Sequence, residues 1–170
     1  MAINFPEGTQ DLPASIAQVD NISVPGVVST SSTSWTAISG FSNTITTKKA
    51  SSSILVIVNL GAVTGQGNTH AFRLTRNGTL VGQGNADSNR ESHSFRITGY
   101  NGTYNNNHCR GATFVFVDQP SVVANTNLVY GMSCRSETAP MYINRSGQDG
   151  NDSNVYNGRS HSSIILLEIQ

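Results

Sequence analysis

The sequence predicts an all-β domain of the sandwich or barrel type. Only 12% of its 170 residues are charged and 36% are hydrophobic, against about 25% and 45 to 50% in an average globular chain. Ser, Thr, Asn and Gly make up the difference, and these side chains suit turns and the solvent faces of strands. Short β-type runs recur with turn signals between them, which is typical of a sandwich or barrel. No stretch of eleven residues carries a helical repeat, so we expect almost no helix.

The length and the first residues indicate one domain that follows an extended arm. A chain of 170 residues fits a single domain of ordinary size. Residues 1–20 lack an alternating pattern and contain Pro6 and Pro13, so we expect an attachment arm over 1–20 and a β-sandwich domain over 21–170. The apolar side chains of the arm that we expect to contact a partner are Ile3, Phe5 and Leu12.

Eleven strands are predicted after the arm. Their approximate bounds are 22–28, 34–38, 43–47, 53–61, 69–76, 79–83, 92–98, 111–117, 127–135, 140–144 and 162–169. The clearest is SSSILVIVNLG, where apolar side chains point to both faces of the strand. Such a strand is expected in the centre of a sheet, covered on both sides. TFVFV and SSIILLEI have the same character, so the last strand is expected to complete the core.

Two further predictions concern the core and one hairpin. The side chains predicted to form the core are Ile54, Val56, Val58, Phe114, Phe116, Ile165 and Leu167. The run HAFRLTR alternates and should have one wet face. Asn77 and Gly78 both tolerate positive φ and form the strongest short hairpin signal. Strands 69–76 and 79–83 should therefore pair antiparallel.

Residues that could carry enzyme chemistry are few and scattered. The four histidines show no metal-ligand spacing, although a threefold assembly would bring one from each subunit to its axis. The loop SGQDGNDSN lacks the closing glutamate of the helix-loop-helix calcium motif, so an ordinary Asx turn is favoured. A polysaccharide hydrolase needs carboxylates about 5 to 10 Å apart, and several of the ten acidic residues lie in polar loops. We predict no catalytic residue, metal site or cofactor.

The charge balance and cysteine count limit the partners. A formal net charge of zero does not favour nucleic acid. No run approaches the ~20 apolar residues of a membrane span, and the opening residues do not resemble a signal peptide. So little charge repulsion favours self-association into a homo-oligomer. Cys109 and Cys134 are interpreted as two buried free thiols, with a cross-strand contact as the alternative.

Long polar loops rich in Asn and Gly are the expected places for recognition. Aromatic rings beside Asn and Asp build shallow sugar sites, by stacking and by hydrogen bonds to hydroxyl groups. The candidates for surface contact are therefore Tyr100, Tyr104 and Tyr156. The alternative is that these rings cover the ends of the sandwich or pack at a subunit seam.

Six segments carry a resemblance to a known family. They are MAINFPEGTQDLPA, SSSILVIVNLG, FRLTRNGTLVGQGNA, FVFVDQPSVVANTNLVYGM, YINRSGQDGNDSN and RSHSSIILLEI. Together they span nearly the whole chain, which resembles virion appendage proteins found especially in phages of cyanobacteria. The resemblance implies an antiparallel jelly-roll β-sandwich that forms trimers, like the heads of tumour-necrosis-factor-type ligands. The chain has no heptads, collagen-like triplets or repeated shaft, so we expect a short appendage rather than a long fibre.

The resemblance also implies a function in the virion. We expect a non-enzymatic structural protein, a trimeric tail fibre or tail appendage that attaches to other virion proteins through residues 1–20. Contact with a host surface glycan is part of this expectation. A capsid decoration or cement protein is the alternative, and it would be present in many more copies per virion. A free carbohydrate-binding module is the second alternative, and it would need neither the arm nor an assembly.

Overall fold

Strands in two antiparallel sheets make up the part of the chain that the structure describes, and no α-helix occurs there. The structure is a computed structural model that describes residues 16–65, 69–98, 109–137, 140–151, 153–154 and 157–170. The prediction of an all-β fold is confirmed. In chain order the strands are β1 (Ile16–Val24), β2 (Val28–Thr30), β3 (Thr36–Thr46), β4 (Ser53–Gly65), β5 (Thr69–Arg76), β6 (Thr79–Val81), β7 (Phe95–Thr98), β8 (Arg110–Asp118), β9 (Asn127–Ser136), β10 (Met141–Ile143) and β11 (Ser162–Ile169).

The two sheets have simple strand orders. In sheet A, β11 and β10 pair with successive parts of one edge of β4, and β8 pairs with the other edge. β1 lies beyond β11, and β2 lies beyond β10. Sheet B runs β3-β9-β5, and β6 and β7 share the other edge of β5. The first strand and the last strand are therefore neighbours, and the apolar strand β4 is central in sheet A.

The hydrophobic core lies between the two sheets. Ile54, Val56 and Val58 of β4 are fully buried there, as predicted. Phe114 and Phe116 are only partly buried, and they pack against the edge of the core. Sheet B contributes other large buried side chains, which are Phe41, Ile45, Phe72, Leu74, Leu128 and Tyr130.

The predicted hairpin is confirmed. Asn77 and Gly78 have φ values of 48° and 81° and connect β5 to β6, which is the turn conformation that matches the twist of paired strands. The pairing runs from Leu74 with Val81 to Arg76 with Thr79. A residue with a Cβ atom at position 78 would be strained, because its φ lies in the left-handed region.

Several predicted strand bounds differ from the structure, and those near the start of the chain differ as follows. Strand β1 begins at Ile16, inside the segment predicted as an arm, because its residues pair with the last strand as far as Ile169. Pro25 and Gly26 interrupt the predicted strand 22–28. The two predicted strands 34–38 and 43–47 form one strand, β3, with an irregularity around Gly40. The arm residues Ile3, Phe5 and Leu12 lie outside the described residues.

The prediction that Ile165 and Leu167 belong to the core is wrong. The fully buried side chains of β11 are Ile164 and Leu166, whereas Ile165 and Leu167 point to the outer side of sheet A. Both sets of alternate residues in this strand are apolar, so the pattern alone does not choose between them. The buried set also contains the polar residues Ser162 and Glu168.

The two isoleucines of β11 give a direct test of this assignment. Ile164→Ala is expected to lower the free energy of unfolding by about 2 to 5 kcal/mol, because it leaves a cavity in the core. Ile165→Ala should cost clearly less, because that side chain is already partly in solvent in a single chain. Urea unfolding of dilute protein measures both values. A larger loss for Ile165→Ala would contradict the assigned faces.

Candidate functional site

The outer side of sheet A carries an unusual concentration of apolar side chains. Four adjacent strands place Val19, Leu167, Leu55 and Val117 in one cross-strand row. The next row contains Asn21, Ile165, Ile57 and Val115. We call the seven aliphatic members of these rows the apolar face. It comprises Val19, Leu55, Ile57, Val115, Val117, Ile165 and Leu167.

Three side chains of the apolar face are exposed in a single chain, and the other four are partly buried. Val19, Val115 and Val117 have 59%, 56% and 50% of their surface in solvent. Neither row contains a charged residue, and the row that follows consists of Ser23, Ser163, Asn59 and Thr113. Contiguous apolar patches of this kind on soluble proteins usually mark a site of association. The chemistry of the face therefore fits contact with another protein surface.

The outer side of sheet B has the opposite character. Its outward positions near the centre are mostly small and polar, and they are Ser42, Thr44, Thr46, Thr75, Asn127, Gly131 and Ser133. Polar residues on one face of an antiparallel sheet are typical of a face in water. On β4 of sheet A, Ile54, Val56 and Val58 are fully buried toward sheet B, whereas Leu55 and Ile57 on the outer side are only partly buried. The prediction that β4 is covered on both sides is confirmed only for the side toward sheet B.

Arginine and aromatic side chains gather at one end of the outer side of sheet B. The guanidinium carbon of Arg73 lies 3.8 Å from the centre of the Trp35 ring, and that of Arg135 lies 5.8 Å from it. The His93 ring centre is 5.7 Å from the centre of the same indole. Glu91 accepts a 2.7 Å hydrogen bond from Arg135 and lies 3.9 Å from Arg73. This packing satisfies the criteria for cation–π contact.

A cleft of about 360 Å³ opens beside this cluster. We call it the arginine cleft. Its lining residues are Thr69, Ala71, Asn89, Glu91, His93, Arg96, Arg135 and Glu137. The sequence does not predict this cleft, because its residues come from β5, β7, β9, the segment between β6 and β7, and the residue that follows β9. Only the register of sheet B brings them together.

Two buried charged groups hold the sandwich together. Asp118 of β8 accepts 2.7 Å hydrogen bonds from Arg76 and from the hydroxyl of Tyr130, which joins sheet A to sheet B. Burial and the hydrogen bond to Asp118 raise the pKa of Tyr130 above its usual value. Glu168 is fully buried and accepts hydrogen bonds from backbone N–H groups of the segment between β3 and β4. These contacts give both carboxylates a structural role.

Other residues considered in the sequence have ordinary surroundings. Cys109 and Cys134 are free thiols, as predicted, and Cys134 is buried, but the prediction that Cys109 is buried is wrong, because it is exposed. Burial raises the pKa of Cys134 to about 12. The carboxylate of Asp149, in the loop considered for calcium, forms salt bridges with Arg145 and Arg159. The candidate contact residues Tyr100, Tyr104 and Tyr156 lie outside the described residues.

His70 is an uncharged histidine inside the sandwich. It is 1% exposed, and neither ring nitrogen has a hydrogen-bond partner. Its ring fills the space beside Gly65, where an added Cβ would lie 1.9 Å from Nε2. Burial lowers the pKa of His70 below its usual value of 6.5. The folded chain therefore binds a proton at this site less readily than the unfolded chain does.

This difference predicts a loss of stability in mild acid. As the pH falls below 6.5, the unfolded chain gains a proton that folded His70 does not accept, so the free energy of unfolding falls by up to about 1.4 kcal/mol per pH unit. His70→Leu is expected to reduce the slope of unfolding free energy against pH by up to the contribution of one bound proton. Urea unfolding between pH 7.5 and about 5 tests this, and an unchanged slope in His70→Leu would contradict it.

Comparisons with known proteins add no family to this description. No protein-family model matches the chain, and no curated protein matches it. Within the described residues, no helix is long and apolar enough to cross a membrane. In the same part of the chain, no group of three or more His, Cys, Asp and Glu side chains is placed to hold a metal ion.

Proposed function

We propose that this chain is a non-enzymatic structural protein of a bacteriophage virion that forms a homotrimer through the apolar face of sheet A. The observation that supports this proposal is the face itself, seven aliphatic side chains on four strands without a charge among them. Removing such apolar surface from water contributes about 25 cal/mol per Å² of buried area to the free energy of association. A second copy of the same chain is a suitable occupant, because a chain with so little charge offers little repulsion to itself.

The strand order supports a jelly-roll form of the sandwich. Four strands from each sheet correspond to the eight strands of a jelly roll. Their spatial order is β1-β11-β4-β8 in sheet A and β3-β9-β5-β7 in sheet B. Along the chain, each of these eight strands lies in the opposite sheet from the one before it, except that β5 and β7 both lie in sheet B. The first strand, β1, pairs with the last strand, β11. A double sheet of eight strands built from two Greek keys has this arrangement. The jelly roll is also what the resemblance to virion appendage proteins implies.

The same resemblance supports three copies and a place on the tail. Identical subunits in a closed ring use the same contact at each interface, and a threefold ring would bring the apolar faces toward its axis. Sheet B, with its polar outer side, would then face solvent and the host. Residues 1–20 are proposed to attach the trimer to other virion proteins, and β1 within that segment belongs to the edge of sheet A.

The mass of the purified protein in solution tests the assembly. Sedimentation equilibrium at micromolar concentration is expected to give three times the 18.1 kDa mass of one chain. A mass of one chain over the whole concentration range would overturn the proposed assembly. A mass of two chains would keep the apolar face as an interface and overturn the trimer.

The position of the protein on purified phage particles tests the virion role. Quantitative mass spectrometry and immunogold labelling are expected to find few copies, located at the tail. Many copies over the head would make the chain a capsid decoration protein and would overturn the tail assignment. Absence from purified particles would overturn the virion role altogether.

A further inference from the structure

Two arginines face each other across the arginine cleft. Arg96 of β7 is in register with Ala71 of β5, and Ala71 is in register with Arg135 of β9. Since neighbouring strands lie about 4.8 Å apart, the backbones of the two arginines are roughly 10 Å from each other. Ala71, which is 5% exposed, lies between them and lines the cleft. The space between the two arginines is about the width of one sugar ring.

One side of the cleft already binds a carboxylate. Glu91, from the segment between β6 and β7, is held by Arg135 at 2.7 Å and faces Arg73 at 3.9 Å. Arginine suits this task because its planar fork matches the two oxygens of a carboxylate. On the opposite side, Arg96 is exposed and forms no salt bridge with a described residue. The cleft therefore has one arginine free to bind a second carboxylate.

The remaining groups suit a sugar rather than a simple ion. Trp35 is a partly exposed ring beside the cleft, and aromatic rings stack on the C–H faces of sugars. Trp35 Nε1 and His93 Nδ1 are buried without a hydrogen-bond partner, so two nitrogen atoms beside the cleft can still form hydrogen bonds. Burial and then the charge of Arg73 lower the pKa of His93, Glu91 acts in the opposite direction, and Arg135 and Arg96 lower this pKa further. The surroundings of His93 are thus net positive.

We propose that the arginine cleft binds a sugar that carries a carboxylate, such as a uronic acid unit of an acidic polysaccharide. Arg96 would bind the carboxylate, and Thr69 and Asn89 would offer hydrogen bonds to hydroxyl groups. The site lies on sheet B, away from the apolar face. This inference rests on the proposed function in one respect only, which is that an assembly through sheet A leaves the cleft exposed to solvent.

The single tryptophan of the chain is Trp35, and its ring lies 5.8 Å from the guanidinium carbon of Arg135, which lines the cleft, so its fluorescence is expected to respond to binding there. The probe is trigalacturonate, and the matched neutral probe is its methyl ester. Titration at pH 7 is expected to give a saturable change in Trp35 emission with the acid and at least tenfold weaker binding with the ester. Calorimetry with the same probes provides the second measurement. Equal binding of acid and ester, or no saturable binding of the acid, would overturn the proposal.

Variants separate this site from a general effect of charge. Arg96→Gln is expected to weaken binding of trigalacturonate at least tenfold, and it breaks no salt bridge of the described chain. Arg110→Gln, at an exposed arginine of β8 in the other sheet, is the matched control and should bind normally. Equal losses in both variants, or equally strong competition by inorganic phosphate, would overturn the proposal. Because a single chain contains the whole cleft, binding by a monomer would support this inference even if the proposed trimer failed.

Discussion

Val115→Lys is expected to convert the proposed trimer into monomers. Val115 lies in the second row of the apolar face, beside Ile57, and 56% of its surface is exposed in a single chain. A lysine there can extend into water on a monomer, so the fold should persist. In an assembly through this face, the ammonium group would be buried without a partner, which costs several kcal/mol. Since about 1.4 kcal/mol changes an equilibrium tenfold, we expect association to weaken by a factor of about a thousand or more.

The chain offers a matched control for this prediction. Val129 is also an exposed strand valine, 39% in solvent, but it lies on the outer side of sheet B. Val129→Lys should leave the mass in solution unchanged. Sedimentation equilibrium measures the mass of both variants, and urea unfolding checks that both remain folded. A folded Val115→Lys protein that still forms the full assembly would place the interface elsewhere.

The parts of the fold that could be predicted are those where local sequence and tertiary context agree. Strand β4 is a long run of β-branched and aliphatic residues, and the Asn77-Gly78 turn has one favoured conformation. Nearly all the predicted strands therefore lie close to their observed positions. The start of β1 could not be predicted, because the residues from Ile16 to Asp20 become a strand only by pairing with β11.

The faces of the strands were harder to predict than the strands themselves. In β11 the sequence alternates between two apolar sets, and a shift of one residue exchanges core and surface. Ile165 and Leu167 were assigned to the core for this reason. Their exposure is informative, because it identifies an apolar surface that a single chain leaves in solvent. A single sequence does not show whether an aliphatic side chain packs in the core of its own chain or against another subunit.

The arginine cleft could not be predicted for a different reason. Trp35 and Arg135 are a hundred positions apart in the chain, and Arg96 belongs to a short strand with no chemical motif. Their proximity depends on the pairing of β5 with both β7 and β9. The tyrosines that the sequence favoured lie in loops outside the described residues, so the prediction of a contact surface there stays a prediction.

Glu168→Ala is expected to have the largest effect on the stability of a single chain. Its carboxylate accepts hydrogen bonds of 2.7 Å from Gln18 Nε2, 2.8 Å from the Lys48 N–H and 3.2 Å from the Lys49 N–H. Hydrogen bonds to a charged group each contribute about 1.5 to 3 kcal/mol. Because these contributions are not additive, we expect a loss of roughly 3 to 6 kcal/mol in the free energy of unfolding. Glu137→Ala, at an exposed glutamate, is the control and should change little.

The pH dependence separates the charge of Glu168 from its packing. Burial alone would raise the pKa of this carboxyl, but hydrogen bonds from Ser52 and from the backbone of Lys48 and Lys49 hold it below its usual value of 4.5. A lowered pKa stabilises the fold above pH 4.5, and this stabilisation is lost as the pH falls through the folded value. The difference between wild type and Glu168→Ala should therefore be greatest near pH 7 and shrink in acid. A difference that stays constant down to pH 3 would mean that packing alone, without the charge, accounts for the loss.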